Sequence, residues 1–182
     1  GSTPIVKIEN TLGEGPLWHS IHQMLYWIDI EQGIVHGYEP HTKRHRDWRV
    51  PKRVGTVVPA ANGKLILGLQ GEIAELDPAT GNVTTLLALE SHLPENRCND
   101  GKCDPEGRFW VGTMHLDCKP RTGSLYCIDK DLQIHQVLTG LTIANGMGWS
   151  PQGDQMYFID SDDRQVKRYT FQRKKVMLEG ET

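Results

Sequence analysis

Three oxygen-bearing side chains stand beside glycines in separate parts of the sequence. They are Glu14 in the stretch GEGP, Asn99 in NDGK and Asn145 in ANGM. Carboxylate and carboxamide oxygens are the ligands that hard divalent cations such as Ca²⁺, Mg²⁺ and Mn²⁺ prefer. Taken singly, each of the three would be an ordinary turn residue that hydrogen-bonds its own backbone. A shared cation site therefore requires a fold that brings them together.

The elements that must position these residues form a repeat. Strands rich in aromatic and aliphatic residues are predicted at 25–29, 65–69, 109–113 and 156–160, so their starts are 40, 44 and 47 residues apart. Each is followed by a second strand, at 34–38, 72–76, 124–128 and 166–169. Repeats of this length are typical of β-propeller blades, whereas a β-sandwich needs no such period. We predict an all-β propeller domain over residues 1–182 with about four blades, in which Gly1-Ser2 is a cloning remnant.

The three polar residues occupy the same phase of this repeat. Glu14 precedes the first predicted strand of its unit by eleven residues, Asn99 by ten and Asn145 by eleven. The remaining unit offers only Val54 or Gly55 at that place. Equivalent positions of successive blades lie at similar radius around a propeller axis. The phase therefore predicts that these side chains converge at one mouth of a central channel and bind a divalent cation there.

The composition argues against several other functions. The net charge is −3 and no basic face stands out, so we expect no nucleic-acid partner. No segment approaches the roughly 18 consecutive apolar residues of a membrane span, so we expect no membrane association. The four cysteines match neither a zinc motif nor a dense disulfide framework. Reduced thiols and a cytoplasmic location are the resulting expectation.

Four long stretches, in order along the chain, resemble one known family. They are LGEGPLWHSIHQMLYWIDI (12–30), RCNDGKCDPEGRFWVGTM (97–114), GSLYCID (123–129) and ANGMGWSPQGDQMYFIDS (144–161). With them the chain resembles the SMP-30/gluconolactonase/LRE-like family, which includes regucalcin and sugar lactonases. The resemblance implies a six-bladed propeller that binds one divalent metal in its channel and hydrolyses sugar lactones.

The resemblance also assigns roles to individual residues. Glu14 and Asn145 match metal ligands of the family, for Ca²⁺ foremost or else Zn²⁺, Mg²⁺, Mn²⁺ or Fe²⁺. Arg97 and Asn99 match residues that contact the substrate, with Asn99 close to the metal. Asp117 matches an acidic substrate contact more loosely. Glu14 and Asn99 are accordingly the predicted catalytic residues of this chain.

One element of the family pattern is missing. The remaining metal ligand of the family, an aspartate in a PDG-type stretch that is also the favoured general base, has no counterpart before Thr182. About four blades are present where the family has six, so the chain is expected to represent the N-terminal two-thirds of the domain. Uncovered blade faces of such a chain are apolar, and self-association through them is expected.

The predicted activity is hydrolysis of a small sugar lactone to the aldonic acid, a carboxylic-ester hydrolase reaction of the gluconolactonase type. Arg97 together with Asn99 favours a substrate with several hydroxyls. Two alternatives remain open at this point. One is a Ca²⁺-binding or scaffold propeller without enzymatic activity, like regucalcin as a regulator; the other is an esterase acting on a non-sugar lactone or ester.

Several other polar and aromatic residues are predicted to be structural. Asp100 is expected to cap a turn made by its Asn-Asp-Gly stretch, and His115 is expected in an exposed loop. Asp29 and Asp160 end equivalent strands. Core packing between blades is predicted for four tryptophans: Trp18, Trp27, Trp110 and Trp149.

Overall fold

A computed structural model of the chain describes residues 16–161, 165–172, 175 and 178–179, and it forms four four-stranded antiparallel sheets. Within each sheet the strands pair in chain order. The first sheet contains β1 (Leu17–His19), β2 (Met24–Asp29), β3 (Ile34–Glu39) and β4 (Arg44–Arg49). The second contains β5 (Val54–Pro59), β6 (Leu65–Leu69), β7 (Glu72–Leu76) and β8 (Val83–Ala88).

The third and fourth sheets repeat this pattern. The third contains β9 (Asn96–Cys103), β10 (Phe109–His115), β11 (Gly123–Ile128) and β12 (Ile134–Leu141). The fourth contains β13 (Ala144–Trp149), β14 (Gln155–Asp160), β15 (Gln165–Phe171) and β16 (Leu178–Glu179). The described residues include no helix long and apolar enough to cross a membrane.

Each interface between neighbouring sheets is a hydrophobic core. The middle strands of the third sheet, β10 and β11, are buried at every position, so their side chains alternate between two cores. In β10, Val111 packs toward the second sheet, while Trp110 packs toward the fourth. The first and second sheets share a core that contains Tyr26, Ile28, Val35, Trp48, Leu65, Leu67 and Ala74. This double-sided burial explains the long, mostly apolar runs of β10 and β11.

The predicted strands coincide with the two middle strands of every sheet. The first and fourth strands of each sheet were not predicted, and the Asn-Asp-Gly stretch lies inside β9 instead of forming a turn. The predicted core position of Trp18 is wrong, because this side chain is 47% exposed in the short edge strand β1. Trp27 and Trp110 are buried as predicted.

The outer face of the fourth sheet leaves apolar side chains in contact with solvent. Tyr157 in β14 and Val166 in β15 are both exposed. These two side chains are compatible with contact between blade faces, and self-association remains a prediction.

Candidate functional site

The first strands of successive sheets face one another, and each of the three longer ones contains a one-residue bulge. β5 contacts β9, and β9 contacts β13. In β13 the register passes from Ala144 opposite Asp160 to Gly146 opposite Ile159, which leaves Asn145 as the extra residue. In β9, Asn99 and Asp100 together stand opposite Gly112, as the pairs on either side show. Bulges bend a strand and re-aim its side chains, so they decide where Asn99 and Asn145 point.

The bulge of β5 is at Gly55, the position where the repeat offered no polar residue. A Cβ atom at Gly55 would overlap the carbonyl oxygen of Cys98. The backbones of β5 and β9 therefore approach each other too closely for any side chain at this place. The second sheet contributes backbone instead of a functional group.

Two of the predicted residues, Arg97 and Asn99, are joined by a short chain of hydrogen bonds that reaches the backbone next to Asn145. Arg97 Nη1 donates to Asn99 Oδ1 at 3.1 Å and to the carbonyl oxygen of Cys98 at 2.9 Å. Asn99 Nδ2 donates to the carbonyl oxygen of Ala144 at 2.6 Å. Arg97 and Asn99 are only 5% and 4% exposed. Because both ends of its amide are engaged, Asn99 holds Arg97 on one side and the backbone that precedes Asn145 on the other.

Asn145 differs from these two residues because it is exposed. Its neighbour Ala144 is fully buried and fixed by Asn99, so the exposed carboxamide extends from a rigid base. Glu14, the predicted partner of Asn145 as a metal ligand, lies outside the described residues.

Asp117 does not join this cluster in the part of the chain that the structure describes. It is exposed in the turn after β10, where its backbone amide donates to His115 Nδ1 at 2.9 Å. The expectation of an exposed His115 is wrong, because the ring is buried at the end of β10 and pairs with Glu95 Oε2 at 3.1 Å. His115 therefore helps to fix the turn that carries Asp117.

Glu90 is a further polar centre that the sequence did not indicate. Its carboxylate accepts hydrogen bonds from Asn96 Nδ2 at 2.9 Å, Thr113 Oγ1 at 3.0 Å and the Tyr126 hydroxyl at 2.5 Å. Burial and the bond to Glu90 raise the pKa of Tyr126, which remains a neutral donor. These bonds tie the segment between β8 and β9 to the third sheet just before Arg97.

The predicted role of Asp100 as a turn cap is wrong, because this residue lies within β9, where it lines a cavity of about 480 Å³ beside the first strands. Residues from β1, β2, β5 and β9 form the walls. Burial raises the pKa of Asp100 to about 6. A carboxyl group with this pKa changes its protonation near neutral pH, a property common in groups that exchange protons with a substrate.

This raised pKa predicts the pH dependence of an Asp100→Asn variant. The folded pKa lies above the unfolded value of 3.8, so ionisation of Asp100 opposes folding. That penalty is absent below about pH 3.8, grows as the pH rises to about 6 and is constant above it. Urea unfolding should show the variant gaining stability over the unchanged chain between pH 4 and pH 8. An exposed control, Asp131→Asn, should show no such gain, and a pH-independent difference for Asp100→Asn would contradict the assignment.

Comparisons with known proteins identify a matching family and relatives that are named lactonases or regucalcin. The family described as "SMP-30/Gluconolactonase/LRE-like region" matches residues 12–182. An L-arabinolactonase of Azospirillum brasilense is 32% identical over 169 residues, covering 91% of this chain and 56% of that protein. Regucalcin of Xenopus laevis is 32% identical over 162 residues, covering 86% and 54%.

A solved structure agrees with the architecture. It is described as a calcium-binding protein, regucalcin, from Agrobacterium tumefaciens strain C58, with a TM-score of 0.90 and 26% identity. It covers 97% of this chain, which in turn covers 59% of that structure. The prediction of a lactonase-type propeller with about four blades in this chain is confirmed. The chain spans a little more than half the length of these relatives.

Proposed function

The chain belongs to the SMP-30/gluconolactonase/LRE-like family, and on this basis we propose that the domain containing these four blades hydrolyses a small sugar lactone to its aldonic acid. The names of relatives such as L-arabinolactonase support lactone hydrolysis in general. The structural observation behind the proposal is the buried chain from Arg97 through Asn99 to the Ala144 carbonyl, which ends beside the exposed carboxamide of Asn145.

The proposal includes one divalent cation, Ca²⁺ foremost, held by Glu14 and Asn145. The donor set fits, because a carboxamide and a carboxylate offer only oxygen atoms and Asn145 extends from a fixed bulge. When bound, such a cation polarises a lactone carbonyl as a Lewis acid. Asn99 is less suited to contact it directly, because Asn99 Oδ1 already accepts a hydrogen bond from the positively charged Arg97.

Arg97 is the proposed substrate-binding group. A guanidinium is planar and permanently charged, and its fork of donors suits sugar hydroxyls and the ring oxygen of a lactone. Its orientation is set by Asn99 and by the Cys98 carbonyl. Asp117, in the turn after β10, is proposed to contact a hydroxyl group of the substrate.

A second candidate function is calcium binding without turnover. It is favoured by the regucalcin structure, whose description names a calcium-binding protein. The same oxygen ligands would serve both functions, so only a measurement of turnover separates them.

The test is lactone hydrolysis by the protein after EDTA treatment and after addition of divalent metals. We expect EDTA to abolish hydrolysis of aldonolactones and an added metal to restore it. Metal binding by the protein without any hydrolysis would overturn the lactonase proposal in favour of calcium binding.

A Glu14→Gln variant tests the cation site separately. Removing the negative charge should weaken metal binding, which isothermal titration calorimetry measures. The expected loss of affinity is at least roughly 10- to 100-fold, the effect typical of removing a residue that hydrogen-bonds to a metal ligand. Glu31→Gln is the matched control, because Glu31 is exposed and forms a surface ion pair with Arg53. Equal metal affinity in the two variants would refute the role of Glu14.

A further inference from the structure

A second group of possible metal ligands lies on the first sheet, away from the bulged strands. His36 on β3 stands directly opposite Asp47 on β4. His45 precedes Asp47 by two residues and therefore lies on the same face of the sheet. One ligand atom from each of the three residues lies within 4.8 Å of the others. Residues from two adjacent strands thus present two imidazoles and a carboxylate at one place.

Two of the three separations between ligand atoms are close to those around a small cation, and the third, between the two imidazole nitrogens, is within 4.8 Å. His45 Nε2 is 3.5 Å from Asp47 Oδ1, and His36 Nδ1 is 2.6 Å from the same oxygen. A tetrahedral ion with bonds of about 2.0–2.1 Å separates its ligand atoms by about 3.4 Å. The first distance already matches. The second is a hydrogen bond that lengthens by less than about 1 Å when the ion replaces the shared proton.

The indole ring of Trp27 contacts the imidazole rings of both His36 and His45. It lies opposite His36 on β2, and the two rings stack with centroids 5.2 Å apart and planes at 17°. Its ring also contacts His45 at 5.7 Å. Because Trp27 is itself buried, it restricts the orientations of the two histidines, and ligands held in place in this way lose less entropy on binding.

Two of the three side chains in this group are open to solvent. The side chains of His45 and Asp47 are 46% and 49% exposed, whereas His36 is mostly covered. An ion can therefore reach the group without a change in the fold.

We propose that His36, His45 and Asp47 form a second cation site, for a borderline transition ion such as Zn²⁺ or Cu²⁺. Two imidazole nitrogens and one carboxylate select these ions over Ca²⁺ and Mg²⁺. The oxygen ligands proposed for the first site have the opposite preference. The new site is independent of the proposed hydrolysis, and its ion would link β3 to β4.

The test compares the unchanged chain with His45→Ala, and with His92→Ala as a control that removes an exposed histidine elsewhere. Calorimetric titration with Zn²⁺ should show affinity at least about tenfold lower in His45→Ala and unchanged in His92→Ala. Titration with Ca²⁺ should give the same affinity for all three proteins.

Electron paramagnetic resonance of bound Cu²⁺ provides a second measurement. The unchanged chain should show coupling to two imidazole nitrogens, and His45→Ala should show coupling to one. His45 is half exposed, so this variant is expected to fold normally, which far-ultraviolet circular dichroism checks. Equal Zn²⁺ affinity in the unchanged chain and His45→Ala, or a Cu²⁺ spectrum that the substitution leaves unchanged, would overturn the proposal.

Discussion

An Asn99→Leu variant should hydrolyse lactones with a kcat/KM about 100-fold below that of the unchanged protein. Leucine has the same branched arrangement of side-chain heavy atoms but neither accepts a hydrogen bond from Arg97 nor donates one to the Ala144 carbonyl. Arg97 then loses one restraint on its orientation, and so does the bulge that presents Asn145. Loss of groups that position a ligand typically costs 10- to 100-fold in activity or metal affinity, and Asn99 positions two groups at once.

A matched variant separates this effect from a general loss of stability. Asn96 lies on the same strand, is equally buried, and donates to Glu90 Oε1 and to the Thr122 carbonyl. Asn96→Leu should cost a similar free energy of unfolding, about 1–3 kcal/mol for a lost buried hydrogen bond, and leave kcat/KM within a few-fold. Comparable losses of activity in both variants would show that Asn99 has only a structural role.

An Asp104→Ala variant should lower the free energy of unfolding by about 3–5 kcal/mol. The Asp104 carboxylate is fully buried and forms a 2.7 Å ion pair with Arg108 Nε. It also accepts hydrogen bonds from the Trp110 indole at 2.8 Å and from the backbone amides of Glu106 and Arg108. Alanine leaves the Arg108 charge buried without its partner, and for a chain of this length the thermal midpoint should fall by roughly 10 °C.

Two further variants make this result interpretable. Asp104→Asn keeps an oxygen for the turn amides but removes the negative charge, so its midpoint should fall between those of Asp104→Ala and the unchanged chain. Asp131→Ala removes an exposed aspartate in the turn after β11 and should change the midpoint by no more than a degree or two. A midpoint for Asp104→Ala that matches the unchanged chain would show that the buried ion pair contributes no net stability.

The middle strands of the blades are predictable from the sequence because each contains a run of aromatic or aliphatic residues. Residues 109–113, for example, are buried at every position and apolar at all but Thr113, as a strand between two cores requires. The first strands follow a different rule. β9 reads Asn-Arg-Cys-Asn-Asp-Gly-Lys-Cys, a composition with low strand propensity and strong turn signals. Packing against β5 and β13 overrides these local preferences, and a single sequence contains no signal of such packing.

The same distinction applies to the candidate site. The repeat phase places Asn99 and Asn145 at matching positions, and the structure shows them on neighbouring strands with matching bulges. The roles of Glu90 and Asp100 depend on contacts and burial that arise only when blades assemble. Tyr126, which bonds Glu90, is 36 residues away in the chain, and no spacing rule links the two.

Gly55 makes the second blade differ from the third and fourth at the bulge of its first strand. The bulges of the third and fourth blades carry Asn99 and Asn145, whereas the second blade carries a glycine whose missing Cβ lets the backbone of β9 lie close to β5. A polar residue introduced there by one substitution would overlap the Cys98 carbonyl before it could bind anything. A ligand from the second blade would therefore first require the separation of β5 from β9, the strand that carries Asn99.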